Sequence, residues 1–141
     1  MPSDSTGNVK AAELQRRSSK RATLESLRAK KPRIKELVLT VDDDELEFSL
    51  RAIGTIDYDR LVTAAPPNLD QRASGAAYDI NTFGPSLLSR VIVDPDLKPS
   101  EWNEIWASPA WGRGEVMTLF SEAVELCSMG LNVGPTGKGS A

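Results

Sequence analysis

The sequence has no histidine and only one cysteine, Cys127, among its 141 residues. Histidine is the commonest general base and the commonest metal ligand in proteins, so its absence removes both roles. One cysteine can form neither an internal disulfide nor a zinc cluster. No histidine is present to activate its thiol, so we expect an inert, buried side chain. The composition therefore predicts a protein that is not an enzyme and has no catalytic residues, no cofactor and no metal.

Long hydrophobic runs are missing as well. No apolar stretch approaches the roughly 18 residues that suggest a membrane-spanning helix. The N-terminus is polar and basic, and no apolar segment follows it, so it is unlike a signal peptide. We therefore expect a soluble, cytoplasmic protein that makes no contact with a membrane.

Two local motifs suggest ligand binding, but their spacing is unsuitable. Asp42–Glu45 is a run of four acids, whereas an EF-hand alternates its oxygen ligands over a loop of 12 residues. The alternating strand pattern that follows the run favours a hairpin turn. Gly134–Ser140 looks like a phosphate-binding loop, but Gly139 follows Lys138 where serine or threonine is required. A flexible C-terminus is the favoured interpretation.

The net charge of −3 hides an asymmetry, because residues 1–35 carry +7 and the remainder carries −10. A basic arm on an acidic body can bind nucleic acid, or it can lie against its own body or a neighbour's. The arm has no interleaved aromatic residues, and the chain has no helix-turn-helix or zinc motif. These features favour a solvated helix or a protein contact over nucleic acid.

The first part of the chain predicts a mobile basic arm over residues 1–32, followed by a β-hairpin. Good helix formers fill Val9–Lys31, and Pro32 ends that helix. Two strands are expected, at Ile34–Val41 and Leu46–Ile53, with the acidic run as the turn between them. In the second strand apolar residues alternate with polar ones, which predicts one buried face and one wet face.

Four helices are expected to follow the hairpin. Thr55, Thr82 and Ser100 are the predicted N-caps of the first three. Pro85 is expected in the first turn of the second helix, whose apolar residues continue to Ile92. Apolar residues at helical spacing in the fourth helix form the strongest periodic signal in the chain: Val116, Leu119, Phe120, Ala123, Val124 and Cys127.

The fold class predicted by these patterns is α+β. It is a single, mainly helical domain over residues 33–130, with an N-terminal β-hairpin, preceded by the basic, partly helical arm. Residues 131–141 are rich in glycine and polar side chains, and they predict a flexible tail.

Three tryptophans lie within ten residues of one another, and they allow two interpretations. Trp102 and Trp106 share one helical face, which predicts that they anchor a short helix in the core. The alternative is an exposed aromatic patch for another chain. Trp111 lies beyond Pro109 and outside that helix, so we expect it to be the most exposed of the three.

The order of these elements over roughly residues 34–130 resembles the tail assembly chaperones of long-tailed bacteriophages and prophages. The matching segments are the hairpin ending at Leu50–Arg51, Asp59–Leu61, Asn81–Phe83, Val93–Pro95, the helix of Trp102 and Trp106, and the helix containing Leu119–Phe120 and Ala123.

That resemblance implies a protein that binds the tape-measure protein in the cytoplasm of a bacterial host. It would keep this client soluble, promote assembly of the tail tube, contact the tail tube protein and leave before the tail matures. It also implies a longer form made by ribosomal frameshifting near the C-terminus. The residues that we assign to partner binding on this basis are Phe83, Trp102, Trp106, Trp111 and Arg113.

Two other functions remain open at the level of sequence. One is a structural adaptor or completion protein that stays in the virion, and the other is a nucleic-acid-binding regulator that uses the basic arm. Self-association is also left open. A chaperone should be absent from purified particles, an adaptor should be present in them, and a regulator should bind DNA with strong salt dependence.

Overall fold

A computed structural model describes residues 19–128 of the chain. Half of these residues are helical and 17% are in strands, which confirms the α+β prediction. The chain divides into two units with the boundary between Lys31 and Pro32. In the described residues the helices and strands follow in this order: α1 (Leu24–Arg28), β1 (Ile34–Val41), β2 (Asp44–Arg51), α2 (Thr55–Thr63), α3 (Leu69–Ala73), α4 (Ile80–Val91), β3 (Ile92–Asp94), α5 (Pro99–Ala107) and α6 (Arg113–Cys127).

In the first unit, the helix expected within Val9–Lys31 is shorter over its described part, where only α1 is helical. Thr23 has an extended backbone, and its hydroxyl accepts a hydrogen bond from the Ser26 amide at 3.0 Å. Such a cap begins a new helix, so the residues just before it cannot continue one from upstream. The start of the expected arm and the tail of residues 131–141 lie outside the described residues.

The β-hairpin forms as predicted, but its turn is tighter. Val41 pairs with Asp44, so the turn has only Asp42 and Asp43 at its centre. Their φ angles are +50° and +70°, the left-handed geometry of a two-residue hairpin turn, which aspartate tolerates better than most residues. The expected second strand, Leu46–Ile53, is therefore corrected to β2, because the last two acids of the run pair with β1.

A third strand, β3, was not predicted. Ile92, which the sequence pattern assigns to the preceding helix, begins this strand and pairs with Leu50. The sheet order is β1–β2–β3, and both neighbouring pairs are antiparallel. Ile92 is apolar and buried in either arrangement, so its side chain does not distinguish a helix end from a strand start.

Three helix starts are displaced from their predicted positions. The N-caps are Gly54 rather than Thr55, Asp79 rather than Thr82, and Lys98 rather than Ser100. Asp79 accepts a hydrogen bond from the backbone amide of Asn81 at 3.0 Å, which a carboxylate does as well as a threonine hydroxyl. The earlier start of α4 places Pro85 inside the helix and not in its first turn.

The core of the second unit lies between the sheet and α4, α5 and α6. The predicted buried face of β2 is confirmed at Phe48 and Leu50, and α6 contributes Leu119 and Ala123 with no measurable exposure. The remaining buried core side chains come mainly from the helices: Ala65, Phe83, Leu87, Leu88, Val91, Ile92, Trp102, Phe120 and Leu126. Cys127 is half-buried at the end of α6.

An ion pair links the sheet to the last helix. The Lys35 ammonium of β1 donates a hydrogen bond to the Glu122 carboxylate of α6. This hydrogen bond raises the pKa of Lys35 above its ordinary value, and the charge of Glu122 acts in the same direction. Within residues 19–128, the Lys35–Glu122 ion pair therefore joins β1 to α6.

Candidate functional site

A cleft in the second unit opens between α4, α5 and the start of α6. Its volume is about 580 Å³. Apolar side chains form most of its wall, and amide and guanidinium groups interrupt them. The lining residues are Asn81, Asn103, Trp106, Ala107, Trp111, Arg113, Val116 and Met117. We call this the tryptophan cleft.

Trp106 is held in place by two neighbours on α4. Its indole Nε1 donates a hydrogen bond to Asn81 Oδ1 at 3.0 Å. Its six-membered ring lies so close to Gly84 that a Cβ added there would meet ring carbons at 2.3–2.7 Å. Glycine at position 84 is thus required for α5 to approach α4 so closely. The edge of the Trp106 ring also meets Phe120, with ring centroids 6.1 Å apart.

Phe83 and Trp102, two residues of the predicted partner-binding set, are core side chains. Phe83 has no exposed surface and Trp102 is 1% exposed. Phe83 meets Tyr78 and Tyr58 at centroid distances of 4.3 and 5.4 Å, and Phe120 at 5.8 Å. These two residues therefore belong to the core, while the other three predicted residues line the tryptophan cleft.

Trp111 and Arg113 frame the mouth of the cleft. Trp111 is half-buried, and its amide donates a hydrogen bond to the Ser108 carbonyl at 3.2 Å. The Gly112 amide donates a hydrogen bond to Glu115 Oε1 at 2.7 Å, which begins α6 and places Arg113 in its first turn. Within residues 19–128, the Arg113 guanidinium forms neither an ion pair nor a hydrogen bond, so its donors are available to a ligand.

Five lining residues were not predicted as site residues: Asn81, Asn103, Ala107, Val116 and Met117. Val116 was expected in the core, and it is 6% exposed at the base of the cleft. Asn103 follows Trp102 on α5, and its side-chain amide makes no hydrogen bond in the described part of the chain. The sequence did contain a signal for Asn103. It lies one helical turn from Trp106 and Ala107, so these three residues share a face of α5.

The groups in the cleft suit recognition of a polypeptide segment that presents apolar side chains and one acidic residue. Tryptophan, valine and methionine provide apolar contact, two asparagines provide amide groups, and Arg113 provides a cation. Cleft volumes of roughly 300–1,000 Å³ are typical of binding sites. A few side chains from one face of a helix would fill a cleft of about 580 Å³.

Two tyrosines that pack on Phe83 have raised pKa values. Burial raises the pKa of Tyr58 and the pKa of Tyr78 above the ordinary value of 10.0. Both rings pack on Phe83, so ionising either one would place a negative charge beside an apolar core.

A shallower hollow of about 380 Å³ lies on α2 and includes Ile56, whose side chain is 68% exposed. Between Ser19 and Ser128, no three histidine, cysteine or acidic side chains are grouped so that they could hold a metal ion. The same range contains no helix with the length and apolar character that crossing a bilayer demands.

Comparisons of the chain with protein-family models, with curated proteins and with solved structures found no match.

Proposed function

We propose that the protein is a tail assembly chaperone that binds a helical segment of a tape-measure protein and keeps it soluble during tail tube assembly. The observation that carries the proposal is the tryptophan cleft. It is lined by the half-buried Trp111 and Met117 beside an Arg113 guanidinium that has no partner in residues 19–128. A tape-measure chain is long, helical and in part apolar, so its isolated helices need a cleft of this kind to cover them.

The chemistry of the cleft defines the client segment. Apolar side chains at positions i and i+4 of the client helix would enter between Trp106, Trp111 and Met117. An aspartate or glutamate on the same face would accept hydrogen bonds from Arg113, whose planar fork matches a carboxylate. The amide of Asn103 would bind a polar group at the edge. Binding alone performs this role, without catalytic residues or a cofactor.

The expected place of action is the bacterial host cytoplasm, where a tail tube is assembled. The tail tube protein is a second proposed partner, because a chaperone of this kind must deliver its client to the growing tube. The acidic body, with a net charge of −10 over residues 36–141, would keep the client complex soluble by charge repulsion between complexes.

The test is co-expression with the tape-measure protein of the same genome. We expect the chain to raise the soluble yield of that partner, and we expect Trp111→Ala to weaken the complex by roughly ten- to thirtyfold. Arg113→Glu should weaken it by a comparable amount, because it replaces the one lining cation with an acid.

Arg72→Glu is the matched control, since Arg72 is an exposed arginine on α3 outside the lining of the cleft. Its complex should keep wild-type affinity. Equal partner solubility with and without this chain would refute the chaperone proposal. Loss of affinity in all three variants would indicate a non-specific electrostatic contact.

A nucleic-acid-binding regulator is the second candidate, and the net charge of +7 on residues 1–35 favours it. This function predicts DNA binding that falls steeply between about 50 and 200 mM salt. Deleting residues 1–30 should abolish that binding and leave the cooperative unfolding transition intact. A structural adaptor, the third alternative, would be detected by mass spectrometry in purified particles, from which a chaperone should be absent.

A further inference from the structure

The two edges of the sheet differ in how they are protected. The β3 edge is three residues long, and its pairing with β2 contains a register irregularity. The β1 edge is eight residues long, and its pairing with β2 is regular from Ile34 to Val41. Short strands and irregular pairing prevent a sheet edge from adding another strand, and β1 has neither protection.

The hairpin turn determines which backbone groups of β1 face away from β2. In a two-residue hairpin the residues that flank the turn, here Val41 and Asp44, exchange hydrogen bonds, and alternate pairs repeat the pattern. At the opposite end of the hairpin from the turn, the Ala52 amide donates a hydrogen bond to the Arg33 carbonyl at 2.9 Å. This bond fits the same alternation, in which odd-numbered residues of β1 face β2. The amides and carbonyls of the even-numbered residues Ile34, Glu36, Val38 and Thr40 therefore point outward, along an edge that pairs with no other strand of residues 19–128.

Side chains beside this edge are apolar or already engaged. Ile34 is 67% and Val38 is 56% exposed, and both project from the outer face of the sheet. Glu36 accepts a hydrogen bond from the Ser49 hydroxyl of β2 at 2.7 Å. Lys35 is bound to Glu122 on the opposite face. Both charged side chains of β1 thus have a partner within the same copy.

Opposite charges lie at the two ends of β1. Arg33 precedes the strand, and the turn that follows it contains Asp42 and Asp43. In the described residues none of these three side chains forms an ion pair. A strand that runs antiparallel to β1 and has the same sequence would bring each arginine to the other chain's acids. A parallel copy would place like charges together.

We infer that β1 is a self-association surface, and that it pairs antiparallel with β1 of a second copy to form a continuous six-stranded sheet. The two-fold axis passes between the two Val38 residues. This register opposes Val38 to Val38, Glu36 to Thr40 and Arg33 to Asp43, and the outward amides bond in mutual pairs. Moving the axis from Val38 to Glu36 opposes the two Glu36 residues, and moving it to Leu39 opposes Glu36 to Asp42, and like charges disfavour both registers.

The first test is sedimentation equilibrium of the full chain from about 5 to 500 µM, the range in which a small interface associates. We expect the wild type to pass from monomer to dimer. Val38→Lys should raise the dimer dissociation constant at least tenfold, because a lysine on an edge strand opposes pairing. Ile56→Lys, at another exposed apolar site, is the control and should dimerise as the wild type does.

The second test uses charge exchange between copies. Arg33→Glu and Asp43→Lys should each weaken dimerisation about tenfold, and an equimolar mixture should form heterodimers of nearly wild-type affinity, as measured by native mass spectrometry. Asp43 is exposed in the turn and lies opposite Arg33 of the other copy in this register. A monomeric wild type at every concentration, a dimer unaffected by Val38→Lys, or a mixture no tighter than its components would overturn the inference. The result does not depend on the proposed client.

Discussion

The β1–β2 hairpin and the helical layer of α4, α5 and α6 depend on contacts of different range. Within the hairpin, β1 and β2 are consecutive and a two-residue turn joins them. In the helical layer, Trp106 of α5 donates a hydrogen bond to Asn81 of α4, 25 positions earlier, and packs on Gly84 of α4. Phe83 and Phe120 meet across a still longer separation.

This difference separates local from long-range stabilisation. A change in the hairpin acts mainly through the turn and through pairs of neighbouring strands, so its effect on the free energy of unfolding should be modest. A change in the helical layer removes contacts that several helices share, so its effect should be large and should depend on what else has been changed. Four substitutions or conditions test this contrast.

The largest effect is expected for Phe83→Ala. The side chain is fully buried and meets three other aromatic rings, so its loss should lower the free energy of unfolding by about 3–5 kcal/mol. Ile56→Ala, at a site 68% exposed, should change it by less than about 0.5 kcal/mol. Urea denaturation followed by circular dichroism compares the two. Equal midpoints would show that the aromatic cluster is not the core.

Gly84→Ala should cost about 1–3 kcal/mol, because the added methyl overlaps the Trp106 ring and forces α5 outward. The same change in a Trp106→Ala background should instead stabilise by about 0.5–1 kcal/mol, since alanine is the better helix former when the ring is gone. A double-mutant cycle measures this reversal. If Gly84→Ala destabilises both backgrounds equally, overlap with the Trp106 ring is not the cause.

Asp43→Gly should stabilise the hairpin by about 0.5–1 kcal/mol. Asp43 has a φ of +70°, and glycine relieves the cost of this left-handed position while losing part of the gain to backbone entropy. Thermal melts should show a small upward shift. A downward shift would mean that the aspartate side chain contributes more to the turn than its backbone conformation costs.

The smallest effect is expected at high pH. Burial raises the pKa of Tyr58 and of Tyr78, so their stabilising contribution is complete below the ordinary value of 10.0 and is lost as pH rises through the folded-state values. The contribution of Lys35 to stability is also lost as pH rises, because its hydrogen bond to Glu122 raises its pKa. Urea midpoints should be lower at about pH 11 than at about pH 9. Tyr78→Phe should reduce this difference, and an unchanged difference would exclude Tyr78 as a cause.

Partner-binding residues were predictable from sequence only in part. Trp106, Trp111 and Arg113 were assigned to a partner site, and all three line the tryptophan cleft. Phe83 and Trp102 were assigned to the same set and are buried. Helical spacing shows that Trp102 and Trp106 share a face, but it does not show which of two neighbouring tryptophans lies under other helices.

Local patterns determined the elements of this protein: the hairpin, from alternation and a turn of acids, and α6, from its helical period. Tertiary structure decided where elements end and which surfaces remain open. Ile92 leaves α4 to pair with Leu50, a choice that depends on a strand 42 positions earlier. The tryptophan cleft needs Gly84 beneath Trp106, and in residues 19–128 the outer edge of β1 stays unpaired because β3 pairs with β2. Such pairings depend on distant residues meeting in space, whereas alternation and helical period need only neighbours in the chain.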